Sequence, residues 1–273
     1  YLLQMKILRT KNDLKEAIYK IKNLGFVPTM GSIHNGHISL IKKSKLKCYK
    51  TLVSIYVNPK QFNNKKDFAD YPRNRIKDLN ILKKLNVNFV FIPSTKEIFS
   101  DKRVKKIVLP NNQKILCAKF RKGHFEGVLD IMDRLIKLIN PRYTFMGEKD
   151  FQQLFLVNKF IGKKYKNIIL SCKTVRNKNF LPLSSRNFLL SKKELKQAGQ
   201  ISKYLFKLKF SLKKNKINNY LLNKKKELQK KFNIKIDYLE IRNEKNLTTL
   251  TKNKKIRLFV AYYINKVRLI DNF

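Results

Sequence analysis

The chain has 273 residues, 43% of them apolar, enough to bury one large core or two smaller ones and too apolar for a disordered chain. Lys and Arg number 63 against 18 Asp and Glu, a formal net charge of +45. The lysines are spread over unrelated segments (KKSKLK, KNKK, KKNK) with no nucleic-acid-binding signature beside them, so a composition bias explains the charge and no nucleic-acid partner is expected.

Along the chain, LGFVPTM (24–30) reads as a strand, followed by a turn and a helix from about His37. TLVSIYVN (51–58) and VNFVFIP (87–93) are further strands, separated by a helix in which Ile76, Leu79 and Leu82 recur at helical spacing. HFEGVLDIMDRLIKLIN (124–140) repeats Val128, Ile131, Met132, Leu135 and Ile139 and stops before Pro141, again a helix. RYTFMG enters the sheet, FQQLFLVNKFIG is helical, and IILSCKTV (168–175) is a strand. This alternation is that of a parallel sheet covered by helices, an α/β fold. After about residue 176 the grammar changes. Two basic amphipathic helices (about 191–213 and 217–232) precede the strands IKIDYLEIR, IRLFVAYYI and VRLID, the last two joined by a turn at Asn265-Lys266. A second, smaller α+β domain over 176–273 is therefore expected beside a first domain over 1–175.

Cys48, Cys117 and Cys172 are far apart and outside any CxxC, which excludes a zinc cage or disulfide framework and suits a reducing cytosol. The longest apolar run, LFVAYYI (258–264), is strand-sized, so no membrane span is expected, and the first residues show no signal-peptide pattern.

PTMGSIHNGHISL (28–40) spaces Gly31 and Gly36 as a phosphate-gripping P-loop would, yet His37 stands where that loop needs lysine. Of the three histidines in the chain, His34 and His37 lie here. A strand, a tight turn and a helix start form an anion seat in doubly wound folds, and imidazole N–H groups donate to phosphate oxygens. A single histidine there would be a cap or a surface residue; H-x-G-H directly after an apolar strand favours a site.

Three more segments supply matching chemistry. VSIYVNPKQF (53–62) places the amides of Asn58 and Gln61 at a strand end, suited to a hydroxyl-rich molecule, although a plain N-P turn explains them too. GEKDFQQL (147–154) puts Lys149, Asp150 and Gln153 at a strand–helix junction, where Lys149 reaches a phosphate as a point charge. LSSRN (183–187) offers Ser184, Ser185 and Arg186 to a polyphosphate, or equally a Ser cap beside a surface Arg. RKGHFEGV (121–128), with the third histidine His124, is a basic loop fit to cover an anion.

H-x-G-H resembles the signature of the nucleotidylyltransferase superfamily, which uses ATP to transfer an adenylyl group. That leaves open other small-molecule adenylyltransferases and tRNA-binding or tRNA-charging proteins. Taken in order, PTMGSIHNGH, VSIYVNPKQF, YPR (71–73), GHFEGV, GEKDFQQL, LSSRN and RLIDN resemble the pantoate–β-alanine ligase family over almost the whole chain. The resemblance implies a Rossmann-like, nucleotide- and pantoate-binding first domain, a cytoplasmic homodimer, and ATP with Mg²⁺. It implies condensation of (R)-pantoate with β-alanine through a pantoyl-adenylate, giving pantothenate, AMP and diphosphate. Carried onto this sequence, Met30, Gly31, Ser32, Ile33, His34, Asn35, Gly36 and His37 would hold ATP, with His37 as proton donor and His34 on the phosphates. Gly147, Glu148, Lys149, Asp150, Val175, Leu183, Ser184, Ser185 and Arg186 would complete that site, with Lys149 among the catalytic groups. Gln61 and Gln153, with Asn58, would hold pantoate or β-alanine; no metal ligand is assigned. One departure stands out: Asn179-Phe180-Leu181-Pro182 replaces the family's D-G-L-A, removing a glycine and adding a stiff proline.

Overall fold

A computed structural model describes residues 4–63, 65–101, 107–211, 217–249 and 255–273. The first elements are β1 (Lys6–Leu8), α1 (Lys11–Ile18), β2 (Leu24–Thr29), α2 (Asn35–Lys47) and β3 (Lys50–Ile55). Then come α3 (Lys65–Ala69), α4 (Arg75–Lys84), β4 (Phe89–Phe91), α5 (Thr95–Phe99), α6 (Cys117–Phe120), α7 (His124–Ile139) and β5 (Tyr143–Gly147). The rest are α8 (Phe151–Val157), β6 (Ile168–Cys172), α9 (Lys192–Phe210), α10 (Ile217–Phe232), β7 (Lys235–Asn243), β8 (Ile256–Ile264) and β9 (Val267–Asn272).

Six strands form one parallel sheet in the order β1-β4-β3-β2-β5-β6. The order reverses between β2 and β5, as in a doubly wound fold, and ligands in such sheets sit beyond the carboxyl ends at that point. Strand alternation sends neighbouring side chains to opposite cores. Phe26, Leu52, Phe89 and Phe91 join α1, α7 and α8 on one face, while Val27, Val53 and Val90 join Leu40 and Ile41 of α2 and Leu82 of α4 on the other. With both faces covered, the strands read as continuous apolar runs.

β7, β8 and β9 form a second, antiparallel sheet. Its Leu239, Leu258, Val260 and Tyr262 pack with α9 and α10, whereas Tyr238, Phe259 and Ala261 face the core of the large sheet. The small sheet is thus sandwiched between its own helices and the first unit. The β8–β9 turn forms at Asn265, whose φ of 50° supplies the left-handed position without glycine. The segment expected to be helical through Gly162 ends its α-helix at Val157 and continues as a π turn, Asn158–Gly162.

Candidate active site

The turn between β2 and α2 begins with two left-handed residues, Gly31 at φ 80° and Ser32 at φ 53°. Holding Ser32 there costs about 1–2 kcal/mol. Its stabilising partner is a residue absent from the sequence expectations. Asp78 of α4, 2% exposed, accepts from Ser32 N at 2.8 Å through one carboxylate oxygen and from Ile33 N at 2.7 Å through the other. Gly31 N donates to Thr29 Oγ1 at 3.1 Å. These amides are therefore committed to protein acceptors and do not serve a phosphate, and Gly31, Ser32 and Ile33 stand behind the cavity wall instead of on it.

The histidines follow directly. His34 is the N-cap of α2: its Nδ1 accepts from Gly36 N at 3.1 Å, while His37 Nδ1 accepts from His34 N at 3.4 Å. Because both Nδ1 atoms are acceptors, each neutral ring carries its proton on Nε2, as a donor. The rings lie 4.1 Å apart on the cavity wall. Burial, then the Lys149 charge, pulls His34 from 6.5 to about 4; burial, then His34, pulls His37 to about 3. Both are neutral at pH 7. A Cβ on Gly36 would lie 2.7 Å from the His34 ring, so this glycine makes room for the capping imidazole.

The cavity, of about 1050 Å³, is also lined by Lys149, Asp150, Val175, Leu183, Ser184, Ser185 and Arg186. Lys149 Nζ lies 3.2 Å from Asp150 Oδ1. Burial works to raise the Asp150 carboxyl, but Lys149 and then Arg186 outweigh it and hold the group below its usual value. Arg186 Nη2 contacts both Asp67 oxygens at 3.2 and 3.1 Å, and Arg121 Nη2 lies 3.8 Å from the same carboxylate. Burial, then Arg186, lowers Arg121 to about 10. Ser184 caps the 3-10 turn Ser185–Leu189 by accepting from Arg186 N at 3.3 Å, and Ser185 Oγ donates to Ser32 O at 3.4 Å. The LSSRN segment is thus both a cap and part of the wall.

Gln61 and Gln153 line the cavity as well. Asn58 does not, which corrects its expected role. It is fully buried, donating from Nδ2 to Gly127 O at 2.9 Å and accepting from Lys60 N at 3.2 Å. Both ends of the amide are used to build the turn that presents Gln61. His124 assists: its Nδ1 donates to Gln61 O at 2.6 Å, leaving Nε2 to accept from Arg121 Nη1 at 3.0 Å. Burial, followed by Arg121, lowers His124 to about 3. Asn35 is exposed and off the wall; the part-buried side chain of Glu148 is off it too, 3.8 Å from Arg257. Met30, Gly36 and Gly147 are on the wall.

The segment that departs from the family pattern is a closed hairpin. Leu183 N donates to Val175 O and Asn177 N to Leu181 O, both at 2.9 Å. Phe180 itself adopts φ 72°, the left-handed conformation a glycine would take. Asp271 of β9 anchors this hairpin through a bidentate pair with Arg176, 2.8 Å on each side. Nearby, Asn272 Nδ2 donates to Glu148 O at 2.9 Å and Lys149 O at 2.8 Å, fixing the turn that carries Lys149.

Neutral imidazole donors and cations share one cavity at the switch point of a doubly wound sheet, the place where α/β enzymes of this architecture take their ligands. Residues 6–273 match the family model described as pantoate-beta-alanine ligase. The pantothenate synthetase of Azobacteroides pseudotrichonymphae is 39% identical over 98% of this chain and 99% of its own length. That of Clostridium botulinum is 37% identical with the same coverage. A Thermus thermophilus pantothenate synthetase structure superposes with a TM-score of 0.87 at 28% identity, over 98% of this chain and 99% of the other. A Francisella tularensis pantoate-beta-alanine ligase, solved with an ATP analogue and β-alanine, gives 0.83 at 36% identity over 98% and 97%. The chain belongs to the pantoate-beta-alanine ligase family and is an ATP-dependent ligase. Among the described residues no helix is long and apolar enough to cross a membrane.

Proposed function

We propose that this chain joins pantoate to β-alanine through a pantoyl-adenylate. The ATP phosphates lie between the histidine turn and the Lys149–Arg186 wall, and pantoate lies against Gln61 and Gln153. The observation that carries this reading is the pair of imidazoles with both Nδ1 atoms occupied, which leaves two Nε2–H donors in the cavity that Lys149 also lines.

The pantoate carboxylate attacks the α-phosphorus, and pyrophosphate leaves with the bonding pair. Negative charge grows on phosphate oxygens, where Nε2–H groups, the Lys149 ammonium and the Arg186 guanidinium stabilise it without reorganising. A neutral His37 acts by hydrogen bonding; it becomes a proton donor only once the bound phosphates raise its affinity for a proton. The β-alanine amine then attacks the activated carbonyl, AMP leaves, and the amine proton is released. No enzyme nucleophile takes part.

Among the described residues no group of three or more His, Cys, Asp or Glu is placed to hold a metal. That fits Mg²⁺ carried chiefly by phosphates, with Asp150 placed to join it; when bound, the ion neutralises phosphate charge. We assign residues 1–175 to the nucleotide- and pantoate-binding domain and 176–273 to the smaller domain. We further propose a homodimer acting in the cytoplasm, a setting that suits three free buried thiols.

Pantoate-dependent exchange of pyrophosphate into ATP, measured without β-alanine, tests the intermediate. Exchange should require pantoate alone, while AMP and pantothenate appear in quantity only after β-alanine is added. Exchange that required β-alanine would overturn the two-step order.

A further inference from the structure

We infer that Asp78 is a positioning residue for adenylyl transfer: its buried carboxylate locks the left-handed turn from which His34 and His37 are aimed. The inference rests on the phosphate role proposed for those histidines. Asp78 sits on α4, away from the cavity wall, so it acts through the turn and touches no substrate.

A carboxylate that is 2% exposed needs strong donors if it is to stay charged. Among the described residues no cation pairs with Asp78. Its two oxygens instead take one amide each, Ser32 N and Ile33 N, at 2.8 and 2.7 Å, the length of charge-assisted bonds. Two consecutive amides can converge on one carboxylate only if the backbone curls, and Gly31 and Ser32 supply that curl with φ 80° and 53°. Without the anion, a left-handed Ser32 has no compensation for its strain. The next residue is His34, whose backbone N–H caps His37 Nδ1 while its own ring caps Gly36 N. A rotation of the turn therefore moves both caps and both Nε2 atoms together. The same turn offers Ser32 O to Ser185 Oγ, tying the LSSRN segment to the same pinned point. Lys149 and Asp150 are the charged groups whose fields reach the histidines, and neither is paired with Asp78.

The test uses Asp78→Asn, which keeps shape and one acceptor but turns an NH₂ toward the second amide. Pantoate-dependent pyrophosphate exchange should fall about 10–100-fold, as expected for a misplacement on the ångström scale. The KM for β-alanine should stay unchanged. With three histidines in the chain, ring NMR signals resolve one by one, and those of His34 and His37 should titrate closer to 6.5 while His124 does not move. Leu82→Ala, a core cut on the same helix, controls for stability: it should lower the melting temperature without shifting either titration. If Asp78→Asn does not fold, Gly31→Ala perturbs the contact from the other side, because its Cβ would sit 2.9 Å from Asp78 Oδ2, and it should give the same signature. A folded Asp78→Asn enzyme with wild-type exchange and titrations overturns the inference, as does Leu82→Ala producing the same shifts. Loss of exchange in the wild-type enzyme would instead reject the adenylate reading, leaving the histidine titrations to judge Asp78.

Discussion

The two walls of the cavity are prepared in different ways. The histidine wall is electrically neutral and closed on itself, every Nδ1 and every turn amide named above having an internal partner. The cationic part of the lining is charged and provisionally paired: Lys149 rests on Asp150, and Arg186 rests on Asp67, both carboxylates part-exposed. The difference divides the work of binding a polyanion. Donors that must keep their direction are fixed by the backbone. Charges that would repel each other in an empty cleft are held by carboxylates that a phosphate can displace.

The segment bearing Arg186 follows the hairpin that Arg176 and Asp271 anchor, so the largest effect is expected there. Asp271→Ala leaves the part-buried Arg176 guanidinium without its carboxylate and should lower stability by about 3 kcal/mol, read from urea unfolding. A loss below 1 kcal/mol would mean the hairpin is held by its apolar contacts instead. Next, Lys149→Ala and His37→Ala should each reduce pantoate-dependent exchange about 10²–10³-fold. Near-wild-type exchange in either variant would remove that wall from the chemistry.

The pH dependence separates the walls more finely. In the folded enzyme His34 and His37 lie at about 4 and 3, below 6.5, so between these values the unfolded chain binds more protons. Their contribution to stability is complete above pH 6.5 and is lost as pH falls through that window. Correspondingly, kcat/KM for ATP should show no imidazole inflection near pH 6.5, its acid limb lying below about pH 5. An inflection near neutrality would mean that the free enzyme works with a charged histidine. The smallest effect belongs to Asp67→Asn, which frees Arg186 before ATP arrives. Since an exposed ion pair is worth about 0–1 kcal/mol, the KM for ATP should fall no more than about 5-fold. A rise in KM would make Asp67 a ligand of the nucleotide complex and not a placeholder.

Much of this arrangement was legible in the sequence, for physical reasons that also explain the gaps. β2, β3 and β5 bury both faces, so their apolar runs announce themselves, and helix α7 shows its period over four turns. β1 does not: three residues at the sheet's edge, mostly exposed, carry too little pattern. α2 starts at Asn35, ahead of the expected His37, because an imidazole serves as its cap where Ser, Thr, Asp or Asn is the usual signal. On α4 the helical spacing points Ile76 inward, yet Ile76 is 76% exposed and Asp78 is buried. Nothing in the local sequence reveals this, because the donors that make burial of Asp78 favourable lie 45 and 46 residues upstream. Asn58 reads as a substrate-facing amide for the same reason: its partner, Gly127 O, is 69 residues away. The hairpin at 175–183 needed coordinates because a Phe at φ 72° breaks the rule that a left-handed residue is signalled by Gly or Asn.

Asn272 gives the site a timetable. Its amide closes the turn bearing Lys149 across 123 residues of chain, one of the longest-range contacts in the molecule. β2 and β3 adjoin in sequence and in space, and they can pair early, whereas this contact forms only after the second sheet has folded and docked. Refolding should therefore restore backbone ellipticity before it restores catalysis. In the interval the chain has its large sheet and its histidine turn but lacks a fixed Lys149, and it has much of its backbone structure before it is an enzyme.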